Sequence, residues 1–138
     1  MMSGYLVDSN HLSASLHKVS ACREQIQAGC RAGHRFVSCY PVLCEVEVAI
    51  QQSQRADDNH RRLTQLLRHV RLWPLNYQIV KAYGNVYIEL RRLGRVLSQV
   101  DMMLAAYGRH YQMTVLTTDG DFEALADLRV ENWVGPTR

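Results

Sequence analysis

Four carboxylates in this chain follow or interrupt apolar runs, where an unpartnered charge is expensive. Asp8 ends the run Tyr5-Leu6-Val7, Glu45 interrupts an apolar helical stripe, Asp101 heads Met102 to Ala106, and Asp119 follows Val115-Leu116-Thr117-Thr118. Ionised carboxylates lose hydration on burial and repel one another, so acids beside core-forming segments require partners. A divalent cation is the simplest partner that keeps all four ionised, and their hard oxygens suit Mg2+ or Mn2+. Such an ion can neutralise phosphoryl oxygens, generate a hydroxide-like nucleophile and stabilise a departing oxygen, which is the chemistry of phosphodiester hydrolysis.

The elements that must carry these acids alternate between strand and helix. Gly4 to Asp8 reads as a buried strand, and Ser9-Asn10 caps the helix that follows. A helix from Ser20 through Ala32 is closed by Gly33, Phe36 to Cys39 is a second strand, and Pro41 opens a helix to about Ser53. Asp57-Asp58-Asn59 starts an amphipathic helix with Leu63, Leu66, Leu67 and Val70 on its inner stripe. A long helix from Tyr77 to Gly94 carries Ile79, Tyr83, Val86 and Leu90 inward, and Ser98 opens another that runs to Tyr111. The strand Met113 to Thr118, a turn at Asp119-Gly120, a brief helix from Phe122 to Asp127 and a strand from Leu128 to Trp133 complete the chain. This pattern predicts a three-layer α/β/α fold around a mostly parallel sheet of about four to five strands. Ligands of such sheets sit beyond the carboxyl ends of the strands, and Asp8 and Asp119 both fall on that rim.

Each acid also has a structural reading. Asp8 can cap the next helix. Asp101 can complete a capping box with Ser98, although Leu97, Leu104, Ala105 and Gly108 share its helical face. Glu45 stands in helical register with Val42, Val46 and Ala49, which turns it toward the core and leaves Glu47 as the solvated glutamate. Asp119 and Asp121 compete for the fourth place: Asp119 is favoured for direct ligation, with Asp121 as the short helix's cap, a supporting group or an alternate ligand. Ser9, Asn10 and Thr117 can orient the carboxylates or hold ordered water.

With 138 residues, 47% hydrophobic and 21% charged, the chain fits one compact domain spanning residues 1–138. It has no run of about twenty apolar residues, and Met1-Met2-Ser3-Gly4 lacks a basic-then-apolar leader pattern, so a cytoplasmic protein without a membrane span is expected. Cys22, Cys30, Cys39 and Cys44 form no CxxC pair and read as reduced thiols. The net charge of +3 comprises fourteen arginines against two lysines, a skew compatible with phosphate recognition and equally with a GC-rich genome. Arg61, Arg62, Arg91, Arg92 and Arg95 are the candidate backbone contacts, their alternative being a solvated face or pairing with Glu89.

The opening YLVDSNHL, the helical Glu45, the stretch RRLGRVLSQVDMMLAAYGRHYQMTVLTTDGDF and the tail DLRVENW resemble the PIN-domain nucleases, especially the VapC-type toxins of bacterial toxin-antitoxin pairs. That resemblance implies a metal-dependent endoribonuclease in which Asp8, Glu45, Asp101 and Asp119 match the four acidic positions, held by a cognate antitoxin and commonly dimeric. Two departures stand out: the glutamate helix reads CEVEVAI where a leucine and a small residue are more usual, and His11 replaces an apolar residue. A non-catalytic module whose acidic pocket engages a basic segment of a partner protein is the competing expectation.

Overall fold

The computed structural model describes residues 4–135, so the reading of Met1 to Ser3 lies outside the described residues. Strand β1 (Gly4–Val7) ends in fully buried Leu6 and Val7, as a central strand covered on both faces requires. Helix α1 (Ser9–Ala14) starts at once, and α2 (Ala21–Arg31) begins at Ser20, whose hydroxyl accepts from the Arg23 N–H at 3.1 Å. Gly33 adopts φ 91° between α2 and β2 (Arg35–Cys39), a left-handed conformation that favours glycine. Helix α3 (Tyr40–Gln51) has Pro41 in its first turn, where the missing N–H costs nothing.

Helix α4 (Ala56–Leu66) is shorter than its apolar stripe predicts, because Val70 belongs to a strand, β3 (Val70–Trp73). This corrects the expectation of helix through Val70. The physical reason is long-range: β3 pairs in parallel with β2, placing Phe36 beside Val70 and Cys39 beside Trp73, a reward that local helical periodicity cannot reveal. Helix α5 (Tyr77–Arg92) is capped by Asn76, which accepts from the Ile79 N–H at 3.0 Å, and α6 (Gln99–His110) is capped by Ser98.

Strand β4 (Thr114–Leu116) releases Thr117 to Asp119 earlier than predicted. The expected helix from Phe122 to Asp127 is a 3-10 turn over Gly120–Ala124, and the last strand is the short β5 (Val130–Glu131). All neighbours are parallel, in the order β3-β2-β1-β4-β5. With the right-handed crossovers general to parallel sheets, this strand order puts the helices leading outward to β3 and those returning to β4 on opposite faces, giving the expected three layers. Among the described residues no helix is long and apolar enough to cross a membrane. The chain leaves β1 toward β2 and leaves β4 toward β5, so a crevice opens where these two central strands end.

Candidate active site

Asp8 stands at that crevice. Its backbone N–H extends the β1–β4 ladder to the Leu116 carbonyl at 3.0 Å, and the residue is only 2% exposed. Oδ1 accepts from the Ser9 N–H at 2.7 Å, so Asp8 does cap α1 as its structural reading required. Oδ2 accepts from the Thr117 hydroxyl at 2.7 Å and from Asn10 Nδ2 at 3.4 Å. Capping and site-building are therefore performed by different oxygens of one side chain.

Thr117 uses its full hydrogen-bonding capacity here. While donating to Asp8 it accepts from Asn10 Nδ2 at 3.2 Å and from the Asp119 N–H at 3.0 Å. Ser9 Oγ lies 3.5 Å from Asp8 Oδ1, so each carboxylate oxygen has one short contact, at 2.7 Å, and one long one.

The four acids share one electrostatic field. Burial pushes the Asp8 carboxyl above the ordinary value of 3.8, against hydrogen bonds from Thr117 and Ser9, and the charge of Asp119 adds to the rise. Asp101 is pushed up to about 6, first by burial and then by the charge of Asp8, with Asp119 and Glu45 contributing. Even the Cys39 thiol, fully buried at the end of β2, is raised to about 11 by burial, with Asp8 and Glu45 adding to it.

Glu45 departs from its expected setting. It is exposed, as is Ala49, while Val42 and Val46 are buried, so the core-facing stripe of α3 passes beside the glutamate and leaves it at the rim. Glu47, expected to be solvated, is instead partly buried and accepts from Gln51 at 3.1 Å and meets His60 at 2.6 Å. Local geometry separates the two candidates for the fourth position. Asp119, and not Asp121, caps the 3-10 turn by accepting from the Asp121 N–H at 2.9 Å, whereas the Asp121 carboxylate is exposed and lies 3.8 Å from Arg95.

Among the described residues, no three Asp, Glu, His or Cys side chains are gathered closely enough to cage an ion by themselves. The donor set nevertheless suits a divalent cation, because it offers hard oxygens and because the mutual repulsion that raises Asp101 is what a cation relieves.

The arginines divide. Arg61 pairs with Asp58, and Glu89 is taken by Arg109 at 2.7 Å, so Glu89 does not neutralise the cluster at the end of α5. Arg91, Arg92 and Arg95 are exposed, and Arg95 approaches Asp121, two residues past Asp119, at 3.8 Å. Arg62 donates to the Leu16 carbonyl at 3.2 Å and lines a cavity of about 360 Å³ with Lys18, Arg23, Arg68 and His69. A second cavity, of about 590 Å³, shares Arg68 and His69 and runs along β2 and β3 past Arg35 and Arg71 to Trp73 and Tyr40. Among the described residues, no acid lines either cavity. Arg68 and Arg71 read in the sequence as part of a helix's polar face with Arg61 and Arg62, whereas Arg71 stands on β3 and meets Arg35 and Arg68 only because adjacent strands and a helix end bring them together.

Spacing arguments gave His11 no role either. It is fully buried, meets Asn10 Oδ1 through Nδ1 at 2.7 Å, and accepts from the Trp133 N–H through Nε2 at 2.9 Å. Burial lowers it to about 4. Only its place in YLVDSNHL, where an apolar residue is more usual, set it apart in the sequence.

A parallel five-stranded sheet with a buried aspartate at its reversal point defines a class, and the PIN domain model matches residues 5–128. The chain belongs to the PIN-domain family. Within it, the chain is 30% identical over 106 residues to Ribonuclease VapC2 of Haemophilus influenzae, a match covering 75% of this chain and 78% of that protein. The fold is likewise similar to VapBC2 from Rickettsia felis bound to a promoter DNA fragment, with a TM-score of 0.83 and 18% identity over 94% of this chain and 98% of that one. Against VapC20 of Mycobacterium tuberculosis, a sarcin-ricin loop cleaving toxin, the TM-score is 0.61 at 19% identity, covering 87% of this chain and 93% of that one.

Proposed function

We propose that this chain is a metal-dependent endoribonuclease and the toxin of a toxin-antitoxin pair. The observation that carries the reading is the buried Asp8 carboxylate at the β1–β4 crevice, coupled by charge to Asp101, Asp119 and, through Asp101, to Glu45. Asp8 and Asp101 are assigned as the principal holders of Mg2+ or Mn2+, with Glu45 and Asp119 completing the set and Asp121 at the margin. When bound, the ion supplies charge neutralisation and an activated water. Thr117 and Asn10 fix Asp8 Oδ2, Ser9 fixes the orientation of Oδ1, and each oxygen keeps a weakly contacted lone pair for ligation.

RNA is assigned two cationic flanks. Arg95, 3.8 Å from Asp121, lies on one side, with Arg91 and Arg92 just before it at the end of α5. On the other, the acid-free cavity reaches the rim at Tyr40, directly after Cys39, and offers Arg68 and Arg71 to phosphates with Trp73 and Tyr40 for base stacking. Arg62 extends this flank, whereas Arg61 is discounted because of its pairing with Asp58. The VapBC complexes among the structural neighbours support a small antitoxin as partner. Homodimerisation and a cytoplasmic location are part of the same reading. The test is cleavage of single-stranded RNA with and without chelator, run beside Asp8→Asn and Asp101→Asn. Loss in all three arms is expected, and full activity in chelator would refute metal dependence.

A further inference from the structure

We infer that His11 is a positioning residue: held in one tautomer by the Trp133 N–H, it fixes the Asn10 amide that faces the Asp8 carboxylate. The inference rests on the nuclease reading of that carboxylate. Three hydrogen bonds fix its logic. The Trp133 backbone N–H can only donate, so its partner His11 Nε2 holds a lone pair. The ring proton of the neutral imidazole therefore sits on Nδ1, which faces the Asn10 side chain at 2.7 Å.

A ring N–H needs an acceptor, so Asn10 must present Oδ1 to it. The Thr118 N–H points at that same oxygen from 3.2 Å, an independent requirement for the same amide orientation. With Oδ1 committed, both Nδ2 protons face the other way, toward Asp8 Oδ2 and Thr117 Oγ1. A flipped Asn10 would aim its carbonyl at the Asp8 carboxylate and leave the His11 proton without an acceptor in a fully buried place. The tautomer of one buried ring thus decides whether a donor or an acceptor faces Asp8.

The far end of this chain is anchored too. The Trp133 indole packs against Tyr5 and Phe36, with ring centroids 5.0 and 5.8 Å away, so its backbone N–H is held by aromatic contacts to β1 and β2. Ser15 and Cys22 meet the His11 backbone carbonyl at 2.8 and 3.7 Å and leave the imidazole nitrogens to Asn10 and Trp133. The 125–135 segment, remote in sequence from the acids, thus selects the tautomer of the ring that orients Asn10.

Two variants separate positioning from packing. His11→Asn retains a donor near the former Nδ1–H and loses the acceptor for Trp133; His11→Gln retains an acceptor near Nε2 and loses the donor to Asn10. Both lose one buried hydrogen bond, so their thermal midpoints should fall alike. His11→Gln is expected to lower kcat for RNA cleavage about tenfold or more and to weaken Mn2+ binding by calorimetry about 10–100-fold, while His11→Asn stays within about threefold of wild type on both readouts. Equal losses in the two variants, or losses that track the thermal midpoint, would overturn the proposal. Histidine 15N spectra of the wild-type protein supply a check that needs no variant: the His11 ring should be the Nδ1–H tautomer at neutral pH, and an Nε2–H signal would overturn the proposal outright. If Asp8→Asn leaves RNA cleavage intact, the nuclease reading fails; if it abolishes cleavage and His11→Gln does not, only the role of His11 fails.

Discussion

Thr117 donates its hydroxyl proton to Asp8 Oδ2 over 2.7 Å, joining residues 109 positions apart at the ends of two adjacent central strands. The bond is buried and charge-assisted, and Thr117 spends both of its remaining lone pairs on Asn10 and Asp119. A small hydroxyl thereby connects three of the groups around the crevice.

Asp8→Asn and Asp101→Asn should each reduce RNA cleavage by at least about a hundredfold, since supporting groups alone cost roughly 10–100-fold at such sites. Thr117→Val, isosteric but without the hydroxyl, should fall within that lower range. Steady-state cleavage of a labelled single-stranded RNA, with circular dichroism confirming the fold, measures all three. Activity within about twofold of wild type for Asp101→Asn would remove it from the site.

The metal-free protein should show two opposed pH effects on stability. Asp101 is raised from 3.8 to about 6, so between these values the folded chain holds a proton the unfolded chain has released, and folding strengthens as pH falls. His11 is lowered from 6.5 to about 4, so over that window the unfolded chain takes up a proton the folded chain refuses, and folding strengthens as pH rises. Asp101→Asn deletes the first effect alone. Urea midpoints of variant minus wild type should therefore grow from pH 4 to pH 6; a constant difference would contradict the raised Asp101.

Activity at limiting Mn2+ should rise with pH through about 6 as the ion displaces protons from the coupled acids, and the midpoint should move to lower pH as Mn2+ increases. Initial rates at three metal concentrations between pH 5 and 8 decide this. A midpoint that ignores metal concentration would show that proton and ion do not compete.

Arg68→Ala and Arg71→Ala should each lower the slope of log affinity against log salt for single-stranded RNA by about 0.7 for every phosphate no longer neutralised. Arg61→Ala should leave it unchanged, because Arg61 is already paired with Asp58. Fluorescence anisotropy across a salt series, with a catalytically inactive Asp8→Asn background, gives the slopes. Equal effects from all three arginines would argue for diffuse attraction without a track.

Gly29→Ala should destabilise the fold by about 1 kcal/mol net, the overpacking cost of about 1–3 kcal/mol exceeding a helix-propensity gain of up to about 1 kcal/mol. The added Cβ would meet Phe36 ring atoms at 2.6 and 2.8 Å, and that ring is held between Tyr5 and Trp133. Denaturant midpoints test it, and a stabilised variant would mean that the aromatic cluster yields.

The order of strands and helices, and the placement of Asp8 and Asp119 at the carboxyl rim, were readable from the sequence because apolar periodicity and cap chemistry are local. Asp101 was readable in part: Leu97, Leu104 and Ala105 on its helical face are buried, and the acid itself is half-buried in the first turn of α6. Strand β3 was not, since Val70 to Trp73 extend a helical stripe by period and become a strand only through pairing with Phe36 to Cys39. Nor was the exposure of Glu45, which depends on how α3 rolls over the sheet; a stripe fixes a helix's apolar side without fixing which neighbour covers its margin. Tertiary structure alone placed the Trp133 N–H against His11, because a hydrogen bond spanning 122 positions has no periodicity to announce it. The sequence by itself determined which groups carry charge and on which rim they stand, and folding decided which neutral groups aim them, since orientation is set by contacts between elements that local rules cannot see.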